Sequence, residues 1–113
     1  MKNEIMVCEV LDSEYAVSIG QGSLIFETLS SLIQSVDVKT GKVCLNFSGV
    51  SYCATPFFNA SVSRLLGRMD IEQLKTKLEI RNISSENNRL LNISIANAIE
   101  FYEKQKKVSN EKS

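Results

Sequence analysis

A chain of 113 residues fits one domain and leaves no room for two; its 43% hydrophobic and 23% charged residues are a globular composition. Thirteen basic residues balance thirteen acidic ones, which removes the electrostatic argument for nucleic acid or an anionic membrane as partner. The complete lack of histidine excludes His-based acid–base catalysis, Ser-His and Cys-His nucleophile pairs, and most transition-metal sites.

In chain order, Ile5–Val10 reads as a first strand. Asp12-Ser13 is a turn signal, and the alternating Tyr15–Ile19 reads as a second strand, so an N-terminal hairpin is expected. Gly20–Ser23 ends it and opens a helix on which Ile25, Leu29, Leu32, Ile33 and Val36 form one apolar face. Asp37–Gly41 is a polar turn. Val43–Phe47, nearly all apolar and rich in strand formers, reads as a central strand covered on both faces. Val50–Cys53 continues extended.

Thr55-Pro56 then starts a helix, with threonine as the cap and proline at the first helical position. Phe58, Val62, Leu65, Leu66 and Met69 form its buried face, and Gly67 ends it. Asp70 and Gln73 have the spacing of a capping box over a short helical turn. Lys77–Ile83 alternates as another strand. Ser84 or Ser85 caps a last helix carrying Leu90, Leu91, Ile95, Ala98, Ile99 and Tyr102. The expected organisation is one domain over residues 1–102 and a charged tail, a fraying and then disordered segment, over 103–113. The alternation of strands and helices implies an α/β fold, a small mixed or parallel sheet flanked by helices.

Little in this order carries reaction chemistry. Cys8, Cys44 and Cys53 read as small buried hydrophobes, too few and too scattered for a zinc site. Gly20-x-Gly22 lacks the third glycine of a dinucleotide fingerprint and the lysine of a phosphate loop, so a tight turn is the simpler reading. Asn46 gives the central strand no acid or base. No catalytic residue, metal or cofactor is expected. Met1–Val10 carries Glu4 and Glu9 and lacks the apolar core of a signal peptide, and no apolar run approaches ~20 residues, so a cytoplasmic protein is expected.

The junction at Cys53–Phe58 differs, because the C-terminal edge of such a sheet is where ligands bind. Thr55 offers a hydroxyl where a helix dipole would favour a phosphate, or it is merely the helix cap. Phe57 falls on the side of Ser61 and Arg64, away from Phe58, and is either a satellite of the core or an interface anchor.

Gly41-Lys42-Val43-Cys44-Leu45-Asn46-Phe47-Ser48-Gly49-Val50, then Thr55-Pro56-Phe57-Phe58 and a helix ending in Gly67, resembles the bacterial STAS-like family of domains. The likeness extends more loosely over Gly20–Val36 and Leu78–Ser84. It implies a sheet of four to five strands flanked by helices, related to the anti-sigma factor antagonists, which switch partners through a phosphorylatable Ser or Thr after the central strand. On that likeness the chain is a non-catalytic regulatory module whose partner is a protein, a histidine-kinase-type ATPase in particular. Thr55 would be the phosphorylated residue, and Ser51, Tyr52, Thr55, Pro56, Phe57, Ser61 and Arg64 the partner-binding surface. Three positions differ from the family's habit: Asn46 stands in place of aspartate, Phe57 in place of serine, and Pro56 near the usual phosphorylation position. The alternatives are a structural or homo-oligomerising subunit of a small stress or defence module, and a nucleotide-binding protein using Gly20–Ser23.

Overall fold

The computed structural model describes residues 3–35 and 41–111, with side chains described as far as Gln105; most of the turn expected over Asp37–Gly41 lies outside them. The described elements run β1 (Glu4–Met6), α1 (Val7–Leu11), β2 (Tyr15–Ala16), α2 (Ile19–Ser35), β3 (Val43–Asn46), β4 (Tyr52–Cys53) and α3 (Thr55–Ala60). A 3-10 helix over Ser63–Gly67, α4 (Ile71–Lys77), β5 (Leu78–Arg81) and α5 (Ser85–Glu111) complete the chain order. Helix α5 thus continues past Glu103, where the tail was expected to begin.

The N-terminal hairpin does not form. The first strand stops at Met6 because Val7, Val10 and Leu11 recur at three and four residues, a helical spacing, and all three join the core. Asp12 closes this short helix in the left-handed conformation (φ 51°), with the Ser13 N–H bonded to the Cys8 carbonyl at 3.2 Å. Turned away by α1, the chain cannot fold β2 back on β1. Instead β1 pairs with β3 and β3 with β5, in the order β1-β3-β5, while β2 pairs with β4. Every pairing is parallel. The single sheet of four to five strands that the family resemblance implies is therefore divided into one of three strands and one of two.

β3 is central, as expected, and all four of its residues are buried. Ile5, Val43, Leu45 and Leu78 point into the main core, joined by Phe47 just beyond the strand. Their neighbours Glu4, Cys44, Glu79 and Arg81 line an open polar concavity of about 260 Å³ on the other side. Asn46 ties the sheet together near its C-terminal end. Its Oδ1 accepts from the Ser48 N–H (2.9 Å) and Asn82 Nδ2 (3.0 Å), and its Nδ2 donates to Glu4 Oε2 (3.3 Å).

Helix α2 starts earlier than the glycines suggested, and the missed signal is Ser18-x-x-Gln21. The Gln21 N–H donates to Ser18 Oγ (3.1 Å) while Gln21 Oε1 accepts from the Ser18 N–H (3.0 Å), a reciprocal cap. Gly20 and Gly22 consequently lie inside the helix. The Asp70–Gln73 capping box forms as read, with both hydrogen bonds present. Ser84 caps α5 through the Asn87 N–H at 3.1 Å.

A candidate interaction surface

The register sets Tyr15 opposite Tyr52 and Ala16 opposite Cys53. Successive side chains alternate across a strand, so Ala16 and Cys53 are buried while Tyr15 and Tyr52 stand outward, 53% and 52% exposed. Val17 and Ile19, the latter 66% exposed, extend this apolar ground toward the start of α2. Ser51, exposed beside it, donates from Oγ to Glu14 Oε1 at 3.0 Å. Two side-chain amides border the strand pair. Gln21 Nε2 donates to the Tyr15 carbonyl (2.9 Å) while its Oε1 accepts from the Val17 N–H (2.9 Å). Asn87, buried on α5, accepts the Cys53 N–H at 3.0 Å.

The helix start after β4 departs from expectation in its detail. Ala54, extended at φ −133° and ψ 156°, is the cap residue, and no side chain caps α3. Thr55 is the first helical residue, half-buried, and its hydroxyl has no hydrogen-bond partner among the described residues. Pro56 follows, exposed, at a position where its missing N–H costs nothing.

Phe57 is core. Its exposure is 0%, equal to that of Phe58, and the two rings meet edge to face with centroids 5.4 Å apart. One buried stripe was expected because one neighbour was assumed; α3 in fact packs against both α2 and α5. Ser61 is buried too, its hydroxyl donating to the Phe57 carbonyl at 2.8 Å. That local bond accompanies the end of α3 at Ala60, so the single helix expected through Gly67 becomes a helix and a 3-10 helix. Of the seven surface residues read from the sequence, Phe57 and Ser61 are therefore interior and Thr55 is half-covered. Ser51, Tyr52, Pro56 and Arg64 are exposed.

Arg64 leads to a feature the sequence reading missed. Its guanidinium lies over the ring of Phe26 on α2, 4.1 Å from the centroid, and that of Arg68 lies over the same ring at 5.1 Å. The legible signal was the four-residue spacing of two arginines. An open cleft of about 300 Å³ lies elsewhere, between α3, the 3-10 helix and α5, lined by Asn59, Ser63, Asn97 and Phe101 among others. Beside it the buried Ser63 and Ser94 hydroxyls share a 2.7 Å hydrogen bond, and Ser94 donates to Asn59 Oδ1.

Burial pushes the Cys53 thiol up to about 11, and burial together with the nearby Glu4 carboxylate raises that of Cys44. Both stay protonated at neutral pH, which makes them poor nucleophiles. Among the described residues no group of three or more His, Cys, Asp or Glu could hold a metal ion, and no helix is long and apolar enough to cross a membrane.

A family model described as a STAS-like domain of unknown function (DUF4325) matches residues 22–88, from within α2 to the first turn of α5. No curated protein and no solved structure matches the chain.

Proposed function

The chain belongs to this STAS-like domain family, and from that membership we propose that it is a non-catalytic regulatory module that binds another protein through its exposed strand-pair edge. The observation that carries this reading is the register pair Tyr15–Tyr52, two half-exposed aromatics side by side on a short parallel ladder. Aromatic side chains presented this way give large contact area at small entropic cost, the usual chemistry of an interface anchor. Ser51 and Pro56 complete the edge, and Arg64 lies farther along the molecule. Phe57 and Ser61 act from beneath, by fixing α3. On this reading the partner is a histidine-kinase-type ATPase, as the likeness to anti-sigma factor antagonists implies, and Thr55 is the residue phosphorylated. Its hydroxyl, without a hydrogen-bond partner among the described residues, supports that assignment.

The test is co-purification with the tagged chain, identification of the partner, and titration with the purified partner. Tyr15→Ala/Tyr52→Ala should weaken binding at least tenfold while circular dichroism stays unchanged. Undiminished binding by the folded double variant would reject the edge. Light scattering supplies the contrast with an oligomerising subunit, which would give a stable dimer lost in the same variant.

A further inference from the structure

We propose that Arg64 and Arg68, stacked together on Phe26, form a binding site for a phosphate monoester dianion. Both guanidinium carbons lie over one ring centroid, at 4.1 and 5.1 Å, so they are no more than about 9 Å apart. Two guanidiniums within that bound can serve one tetrahedral oxyanion, each giving it a planar fork. A cation–π contact uses the charge of a guanidinium and does not consume its N–H donors. None of those donors has a hydrogen-bond or ion-pair partner among the described residues. The ion pairs present there use other cations: Arg81 with Glu79, Arg89 with Glu86, and Lys104 with Glu100.

Two like charges this close repel each other. Here they are held together by a ring that is only 5% exposed and by its cation–π attraction. The stacking also fixes both side chains in advance, so a ligand does not have to order them. A carboxylate satisfies one fork, whereas a dianion with three free oxygens satisfies both. Arginine at both positions, rather than lysine, fits recognition by planar forks rather than by point charge. The site is distinct from the Tyr15–Tyr52 edge: Phe26 lies about two turns along α2 from the helix start at Ile19. Both arginines are exposed, so the phosphate is accessible either free in solution or on the side chain of a protein.

The experiment follows the arginine Nε–Hε signals and the backbone amides of residues 62–70 of the whole chain by NMR during titration with inorganic phosphate, with chloride at matched ionic strength as reference. Saturable shifts at Arg64 and Arg68 are expected, and the affinity read from the backbone amides of residues 62–70 should fall at least tenfold in the Arg64→Lys/Arg68→Lys variant, which keeps the charge and loses the forks. Shifts that fail to saturate, or that the double-lysine variant reproduces, would overturn the site. Arg64→Gln and Arg68→Gln as single variants, checked for fold by backbone spectra, should each lower affinity. A phosphothreonine peptide binding at least tenfold tighter than inorganic phosphate would identify a protein-borne ligand; equal affinity would identify the free anion. These readouts do not depend on whether the tyrosine edge binds anything.

Discussion

Gly22 and Phe57 are in backbone contact: a Cβ built on Gly22 would stand 2.5 Å from the Phe57 carbonyl oxygen and 2.7 Å from the Ala60 Cβ. Helix α2 can approach α3 only because this position has no side chain. Gly22→Ala should therefore destabilise the fold by about 1–3 kcal/mol through overpacking, despite the better helix propensity of alanine. Urea denaturation measures it. A stabilised variant would show that the two helices separate freely.

Interior and edge aromatics should separate cleanly. Phe57→Ala removes a wholly buried ring and should cost about 3–5 kcal/mol, whereas Tyr52→Ala, on the exposed side of its strand, should cost less than about 1 kcal/mol. Comparing their denaturation midpoints decides whether a loss of binding in either variant reports on the surface or on unfolding.

Asn87 serves a donor buried in the middle of the molecule. Asn87→Ala leaves the Cys53 N–H without its acceptor, and the expected loss is about 1–3 kcal/mol. Amide exchange at Cys53, measured by NMR, should accelerate well beyond that of its neighbours. Unaltered protection at this amide would mean another group takes over.

Asn46 sits where an aspartate would face a carboxylate. Asn46→Asp keeps an acceptor for the Ser48 N–H and for Asn82, but replaces the donation to Glu4 by repulsion between two acids. Like charges so close favour protonation of one of them, so the carboxyl pKa rises in the folded state. The variant should then be destabilised at pH 7 and regain stability as pH falls toward 5, with Glu4→Gln restoring it at neutral pH. A flat pH profile would contradict the contact.

The thiols offer a last check. The folded pKa of Cys53, about 11, lies above the ordinary thiol value, so its contribution to stability is whole below pH 8.5 and is lost as pH rises toward 11. Wild type should lose more stability than Cys53→Ala between pH 8 and 10. In the native state at pH 7.5 an alkylating probe should modify the half-buried Cys8 long before Cys44 or Cys53.

Which of these features the sequence disclosed follows from how local each one is. The box at Asp70–Gln73, the cap at Ser84 and the apolar β3 depend on residues a few positions apart, and they were legible. The α1 turn was hidden because Val7–Leu11 satisfies an alternating and a helical pattern at once, and only the parallel pairing of β1 with β3 selects the second. Phe57 was left open between core satellite and interface anchor because one helical stripe implies one neighbour, and nothing local announces that α2 and α5 enclose α3. The same holds for the site: the exposure of Tyr52 and Arg64 could be read, but Tyr15 opposite Tyr52, and Arg68 on Phe26, are pairings across 37 and 42 residues.

The amides of Gln21 and Asn87 have one more consequence. Residues 14 and 16 turn their carbonyls to β4, so the Tyr15 carbonyl and Val17 N–H face outward, where a further strand would bond them; on the opposite margin the Cys53 N–H is buried against α5. Gln21 occupies the seat of an incoming backbone at the first margin and α5, with Asn87, covers the second, so the ladder is closed to growth at both. A visitor to this surface must therefore be recognised by side chains rather than by strand addition. Opening a margin, as Gln21→Ala would, should make the protein prone to edge-to-edge self-association as its concentration rises.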